Sequence, residues 1–317
     1  MGGSNEDLKP WMMVVFALDI FVIVYVLGVF STFQCYSCSS ESVANQSTNN
    51  EELTQSLPTI HRFGSSVFFF VERNVYPDGC GNNQRFGGDT PSSDGLLGLA
   101  NTNLSIVSQL CGQGLIRNVI GHCIGRRGTG FFFLGDDLVS HFEIVWMPML
   151  PNSFACYSPG WAQLLFNGKT TGHKDIYTFD SGSTYSYFNS KTYQATLSWL
   201  KKNLIGKPLK AVADVPHLPV CWKGPKPFNS TEEVKNYFKP LGLSFSSRNV
   251  QLQLPPEAYL IISNHGNVCL GILDGGSQIL TRPFNVIGEI SLQDKLVVYD
   301  NENKRIGWAP SSCNMPF

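Results

Sequence analysis

The sequence predicts an all-β fold on two observations, the length of its apolar runs and the residues that separate them. After residue 66, short apolar or aromatic runs alternate with clusters of Gly, Pro, Asn and Asp, as in residues 130–137 (GFFFLGDD) and 296–300 (LVVYD). Strands joined by turns produce this alternation. The 317 residues, 43% of them hydrophobic, are enough to form one or two buried cores.

Two segments favour a helix instead of a strand. One begins with Ser190 as a candidate cap and places four apolar residues on one face: Tyr193, Leu197, Leu200 and Leu204. The other is indicated by a capping box of Ser230 and Glu233. This second helix should end before Pro240, because proline cannot continue helical hydrogen bonding.

The N-terminal part of the chain contains an apolar run at residues 11–30, with Asp19 as its one charged residue. About 20 apolar residues are long enough to span a bilayer. We therefore interpret residues 1–33 as a tail followed by a signal peptide or a membrane-anchoring segment, although Asp19 opposes stable insertion. A buried globular helix is the less favoured alternative, because the run is uniformly apolar. The prediction is the secretory pathway, with an extracellular, vacuolar or membrane-anchored destination.

Residues 34–66 differ from the rest of the chain in composition. They are rich in Ser, Asn, Gln, Thr and Glu and show no apolar period, which predicts a polar linker. The formal net charge of the whole chain is −1. A nucleic-acid-binding protein would need a strongly basic face, so we exclude that class of partner.

Cysteines and glycosylation motifs agree with an oxidising compartment. The chain has nine cysteines, an odd number that leaves at least one without an intramolecular partner. The pair at Cys35 and Cys38 has no second pair or histidine cluster to complete a zinc or redox site, so it indicates neither. Three Asn-X-Ser/Thr triplets are candidate glycosylation sites: Asn45, Asn103 and Asn229.

The strongest chemical motif is the run at residues 176–185 (IYTFDSGSTY), in which an apolar strand leads into Asp180, Ser181, Gly182 and Ser183. Each of these residue types favours an ordinary turn, which is the alternative interpretation. In an aspartic protease, two such loops supply two carboxylates that share a proton and activate one water. This chain contains the loop once.

The sequence resembles the plant pepsin-like, A1-type aspartic proteases, and within them the nucellin-like group. The resemblance follows the order of the chain and includes residues 94–99 (DGLLGL), 105–110 (SIVSQL), 118–123 (NVIGHC), 176–185, 218–222 (LPVCW), 266–271 (GNVCLG) and 285–288 (NVIG). It implies a pepsin-like fold of two β-rich lobes, in which each aspartate loop lies beside an apolar-apolar-Gly strand.

The resemblance assigns a role to each residue of the second lobe's site. Asp180 would be catalytic, and Ile287 and Gly288 would lie in the strand beside it, where a Cβ would block the close approach of two backbones. Ser181 would hydrogen-bond across to the opposite lobe's loop. The Gly182 amide and the Ser183 hydroxyl would hold the carboxylate.

The resemblance also implies a disulfide between Cys221 and Cys269, and more loosely one between Cys80 and Cys123. It implies no metal and no organic cofactor. Residues 151–317 correspond to a complete C-terminal lobe, whereas residues 67–150 are the remnant of a truncated N-terminal lobe.

The remnant lacks the first catalytic loop and the flap tyrosine of the family. Asp89-Thr90-Pro91 does not replace that loop, because Pro91 removes an amide and the freedom of glycine. With its strand partners missing, the segment at residues 80–150 is expected to expose apolar edges.

Three hypotheses for function follow. The first is an aspartic-type endopeptidase acting on proteins or peptides, impaired because one aspartate cannot supply both acid and base; a homodimer that pairs two Asp180 loops is its less favoured form. The second is a non-catalytic, inhibitor-like binding protein with the same fold. The third is a truncated splice or gene-model product, for which a transcript with an Asp-Thr-Gly segment between Gly79 and Cys80 would be evidence.

Overall fold

The structure is a computed structural model. It describes residues 12–17, 21–26, 60–63, 66–69, 96–97, 99, 101–103, 105–126, 129–151, 156–245, 250–276 and 284–314. Of the first five ranges, only the backbone is described.

Strand residues far outnumber helical residues in the described part of the chain, which confirms the predicted all-β class. The first half contains β1 (Met12–Ala17), β2 (Phe21–Val26), β3 (Ile60–Phe63), β4 (Ser66–Phe69), β5 (Leu96–Leu97), α1 (Ile106–Gly112), β6 (Val119–Ile124), β7 (Gly130–Leu134) and β8 (Val145–Pro148). The second half contains β9 (Tyr157–Phe166), β10 (Lys169–Phe179), β11 (Ser186–Phe188), α2 (Ser190–Leu204), β12 (Lys210–Val212), β13 (Cys221–Lys223), β14 (Leu241–Phe245), β15 (Val250–Leu254), β16 (Leu260–Ile262), β17 (Val268–Leu270), β18 (Ile272–Asp274), β19 (Asn285–Ile287), α3 (Glu289–Leu292), β20 (Lys295–Asp300) and β21 (Arg305–Pro310).

These strands form three larger sheets. The seven-stranded sheet has the order β15-β14-β9-β10-β19-β11-β18, and the four-stranded sheet has the order β12-β13-β17-β16. The five-stranded sheet has the order β7-β6-β20-β21-β8. A three-stranded sheet, β1-β2-β5, and the hairpin β3-β4 lie in the N-terminal part.

The five-stranded sheet joins strands from residues 119–148 to strands from residues 295–310. Strand β6 pairs with both β7 and β20, and β8 pairs with β21. The expectation that residues 80–150 lack strand partners is therefore wrong for β6 and β8. The two apolar positions of β20 that face this segment, Leu296 and Val298, pack with Val119, Phe133 and Leu138 in one buried cluster.

The first predicted helix is present as α2, and the four predicted apolar residues are buried on it. Its cap differs from the prediction, because the side chain of Asn189 accepts from the backbone N–H of Thr192 at 3.0 Å. Ser190 is thus the first helical residue, and its hydroxyl donates to Asp274 Oδ1 at 2.8 Å instead.

The second predicted helix is reduced to a 3₁₀ turn at Thr231–Val234, and Ser230 makes no side-chain capping bond. Glu233 does not form the predicted capping box with Ser230. Its Oε1 instead accepts from the backbone and side-chain nitrogens of Asn229 at 3.3 Å. This turn ends before Pro240, as predicted, and β14 begins directly after Pro240.

The apolar run at residues 11–30 contains β1 and β2, which pair antiparallel from Met12↔Val26 to Ala17↔Phe21. Within the described ranges, no helix is long and apolar enough to cross a membrane. The predicted linker at residues 34–66 falls outside the description apart from β3 at its end and Ser66 at the start of β4. The four predicted domain boundaries stay predictions.

Candidate active site

Two parallel strands of the seven-stranded sheet position the Asp180 loop. Strand β10 runs beside β19 with Tyr177 opposite Asn285 and Phe179 opposite Ile287. The Asn285 side chain donates to the Ile176 carbonyl at 3.0 Å, which links the two strands further. The ladder continues past the end of β10, where the Asp180 N–H donates to the Ile287 carbonyl at 3.0 Å.

Both carboxylate oxygens of Asp180 accept a hydrogen bond from the residues that follow it. The Gly182 N–H donates to Oδ1 at 3.0 Å, and the Ser183 hydroxyl donates to Oδ2 at 2.9 Å. The Ser183 N–H closes the turn on the Asp180 carbonyl at 3.2 Å. Because each oxygen has a fixed donor, the carboxylate plane is oriented by the loop itself.

Gly288 brings the backbone of the neighbouring strand against the loop. A Cβ at this position would lie 2.0 Å from the Tyr185 carbonyl oxygen and 2.6 Å from that of Ser183. Its φ of −84° is ordinary, so the requirement for glycine is steric and not conformational. The close approach lets Glu289 N–H donate to the Ser183 carbonyl at 2.7 Å.

Ser181 is buried, and Tyr299 of β20 is buried as well. The partner in the opposite lobe's loop that the resemblance implies for Ser181 stays a prediction. Burial raises the pKa of Tyr299 far above its usual value, and the Ser181 hydroxyl acts in the opposite direction. The Tyr299 hydroxyl also lies 3.2 Å from Nε2 of His122, a buried histidine of β6.

Sequence reasoning did not single out Tyr299 and His122, whose buried side chains lie in hydrogen-bonding distance of each other. His122 was included only within a family motif, and Tyr299 only within an apolar strand. The available signal was a titratable ring among apolar residues of a predicted buried strand. That signal is weak by itself, because buried polar rings also serve core packing.

The cysteines pair partly as the resemblance implied. A disulfide joins Cys221 on β13 to Cys269 on β17, which are cross-strand neighbours. The suggested pair of Cys80 and Cys123 is wrong, because Cys123 is bonded to Cys313, 190 residues away. The reason is the pairing of β6 with β20, which brings Cys123 next to the chain end that follows β21.

Two of the three candidate glycosylation sites lie within the described residues. Asn103 and Asn229 are exposed, and Asn45 lies outside the described residues.

In the part of the chain that the structure describes, one group of three metal-type ligands occurs, Asp214 with Cys221 and Cys269. Its two cysteines are bonded to each other, so they offer no thiolate.

Asp214 belongs instead to a hydrogen-bonded cluster at the same edge of the fold. It accepts from Ser263 and His265, and from the Asn267 side chain at 3.1 Å. These bonds, led by that of Ser263, lower the pKa of Asp214 to about 2. The cluster fixes the turn after β16 to the loop before β13.

Comparisons with known proteins place the chain among proteases of the pepsin type. Family models described as Xylanase inhibitor N-terminal and Xylanase inhibitor C-terminal match residues 30–136 and 163–310. An aspartic proteinase from Oryza sativa subsp. japonica is 39% identical over 268 residues, 80% of this chain and 65% of the relative. Aspartic proteinase 39 from Arabidopsis thaliana is 28% identical, over 87% of this chain and 58% of the relative.

Solved structures show the same fold. Basic 7S globulin from soybean aligns with a TM-score of 0.59 at 17% identity, over 72% of this chain and 60% of that one. The aspartic proteinase from Irpex lacteus aligns with a TM-score of 0.55 at 17% identity, over 72% and 71%. The fold is that of the pepsin-like aspartic proteinases. The chain belongs to the plant A1-type aspartic protease family, and it spans 65% or less of the length of the two curated relatives above.

Proposed function

We propose that this chain is an aspartic-type endopeptidase of impaired activity, in which Asp180 activates the water that attacks the peptide bond. The observation that carries the proposal is the pair of hydrogen bonds in the Asp180 loop, in which Gly182 and Ser183 each donate to one carboxylate oxygen. An ordinary Asx turn accounts for the Gly182 donor, and the Ser183 hydroxyl adds a second donor on the other carboxylate oxygen. The proposed substrates are extended segments of proteins or peptides.

The impairment follows from the number of carboxylates. Hydrolysis of this type needs one carboxylate as a base towards water and a second group as an acid towards the carbonyl oxygen. The sequence has a single Asp-Ser/Thr-Gly triplet, at Asp180. A second group has to come from elsewhere in the chain or from another copy, and the homodimer that pairs two Asp180 loops remains the less favoured route.

We also propose a cellular compartment, a role for the N-terminal apolar segment, glycosylation sites and a subgroup within the family. Two disulfides among the described residues support folding in an oxidising compartment, and thus the secretory pathway. Residues 11–30 would act as the signal or membrane-anchoring segment, and the exposed Asn103 and Asn229 would be available for glycosylation. Within the family, the 39% identity to the Oryza sativa proteinase supports the nucellin-like group.

A second candidate function is binding without catalysis. It is favoured by the missing first aspartate loop and by the matching family models, which are described as xylanase inhibitor domains. In that case the interlobe face would recognise a protein partner, and Asp180 would be a remnant of ancestry.

Cleavage of a denatured protein at acid pH by the purified full-length chain separates the two candidates. We expect slow cleavage that falls by about 10²- to 10⁴-fold in Asp180→Asn, because the variant removes the general base and keeps the side-chain shape. A pepstatin-type inhibitor should suppress the same activity. Asp136→Asn is the matched control, since Asp136 is exposed and lies outside the loop.

Two results would contradict the endopeptidase proposal. One is a folded full-length chain with no cleavage, which would leave the binding function. The other is cleavage that Asp180→Asn and Asp136→Asn change equally, which would indicate a contaminating protease.

A further inference from the structure

Exposed lysines flank an exposed isoleucine at the C-terminal end of α2. We propose that this surface, the α2 tip, docks onto an anionic lipid bilayer, with its lysines on the headgroups and Ile205 inserted between them. The α2 tip consists of two exposed apolar residues and five exposed lysines: Trp199, Ile205, Lys201, Lys202, Lys207, Lys210 and Lys223. The proposal goes beyond peptide hydrolysis and does not depend on Asp180.

Positive charge is concentrated in this part of the chain. Residues 181–231 contain seven lysines and one carboxylate, Asp214, whereas the whole chain has a formal net charge of −1. The Asp214 carboxylate is already engaged, because it accepts from Ser263, His265 and Asn267, and its side chain is 3% exposed. None of the five lysines of the α2 tip forms an ion pair with a carboxylate of the described residues. Their charge is therefore available to an external anion.

Two of these lysines face each other across a strand pair. Lys210 on β12 is the direct cross-strand partner of Lys223 on β13, and both residues are exposed. Like charges in opposite positions destabilise a sheet, and an anionic surface would offset that cost. β12 is an edge strand of the four-stranded sheet, where lysines also prevent strand addition. Protection of an edge does not account for the exposed Ile205 beside it.

Ile205 favours a bilayer over a soluble polyanion. It is 79% exposed, the highest value among the exposed large hydrophobic residues of the described chain. Its position is fixed at the end of α2, because its N–H donates to the Lys202 carbonyl at 3.4 Å and the Lys207 N–H donates to the Leu204 carbonyl at 3.0 Å. An aliphatic side chain gains nothing from a dissolved anion, but it is stabilised when it enters the boundary between headgroups and acyl chains. Lysines on either side of it add the attraction to anionic lipid.

Trp199 fits the same surface. It is 37% exposed, its ring stacks on Phe166 with centroids 5.7 Å apart, and Lys202 Nζ lies 5.9 Å from the ring centroid. Half-buried indole rings with lysines beside them are typical of membrane interfaces. With two side chains against it, the ring is poorly placed to stack on a base or a sugar.

Cosedimentation of the full-length chain with vesicles tests the proposal. One set of vesicles is phosphatidylcholine with about 30% phosphatidylserine, and the other is phosphatidylcholine alone. The neutral vesicles measure any contribution of the apolar run at residues 11–30, which does not require anionic lipid. We expect binding to the anionic vesicles to be about 10²-fold tighter and to weaken as the salt concentration rises.

Two variants divide the α2 tip into its charged and apolar parts. Lys207→Gln together with Lys210→Gln should weaken binding to the anionic vesicles by about 20- to 30-fold, since each lysine near an anionic surface contributes a factor of about five. Ile205→Ser should weaken the same binding by about fivefold to tenfold, because the inserted apolar side chain is lost. All three residues are exposed, so the fold should be retained.

Lys174→Gln together with Lys191→Gln is the matched control. It removes the same charge from two exposed lysines near the opposite end of α2, where Asn189 donates to Asp175. The 15 residues of α2 separate the two ends by about 20 Å, more than a Debye length at physiological salt. Binding should therefore change by less than about twofold.

Three results would overturn the proposal. The first is equal binding to anionic and neutral vesicles, and the second is an equal loss in the two lysine variants. The third is binding to soluble polyglutamate that is as tight as binding to anionic vesicles and unchanged in Ile205→Ser, which would make the partner an acidic protein.

Discussion

Loss of the disulfide between Cys123 and Cys313 is expected to lower the free energy of unfolding by about 5 kcal/mol. The bond closes a loop of 190 residues, and the entropy that a crosslink removes from the unfolded chain grows with loop length. The change is Cys123→Ala together with Cys313→Ala, and urea unfolding of the full-length chain measures it. The pair of Cys221 and Cys269, 48 residues apart, should contribute about 4 kcal/mol by the same argument.

The matched control is Cys111→Ala, which removes a half-buried cysteine that forms no disulfide within the described residues. It should change the free energy of unfolding by far less than either disulfide variant. Equal losses in Cys111→Ala and in the Cys123 and Cys313 variant would show that side-chain packing, and not the crosslink, carries the effect.

This disulfide also shows where sequence reasoning ends. Cys123 lies in the second half of β6 and Cys313 follows β21, so no local pattern connects them. Their proximity depends on β6 pairing with β20 and on β20 pairing with β21. Long-range strand pairing is decided by the whole core, and a pairing inferred within one segment therefore selects Cys80 wrongly.

The Asp180 loop was predictable for the opposite reason. Its residues are contiguous in the sequence. The pattern is an apolar strand followed by turn residues, with a partner strand about a hundred residues later, and it can be recognised from the sequence alone. The face of α2 was predictable from its helical period, but the cap was not. Both Asn189 and Ser190 favour capping, and tertiary contact decided between them, since Asp274 takes the Ser190 hydroxyl.

Residues 119–148 have a structural role that the sequence did not indicate. Strands β6, β7 and β8 form one five-stranded sheet with β20 and β21. The same sheet carries Tyr299, whose ring packs against Tyr157, the cross-strand partner of Phe179. The segment around β6 and the strands near the C-terminal end of the described chain therefore depend on each other for burial.

Gly288→Ala is expected to cost about 3 kcal/mol of the free energy of unfolding and to displace the Asp180 loop. The added Cβ would lie 2.0 Å from the Tyr185 carbonyl oxygen, so backbone has to move on one side. The carbonyl of Ser183 is the second obstacle, and Ser183 holds the Asp180 carboxylate. Urea unfolding measures the stability loss, and any acid cleavage activity should fall with it.

Gly242→Ala is the matched control, because it adds the same methyl group to another buried strand glycine of the seven-stranded sheet. There the nearest atom to a Cβ is the Leu252 carbonyl oxygen at 3.5 Å, an ordinary contact, and φ is not in the left-handed region. Its free energy of unfolding should stay within about 1 kcal/mol of the wild-type value. A Gly288→Ala variant as stable as Gly242→Ala would mean that β19 does not approach the Asp180 loop as closely as the structure places it.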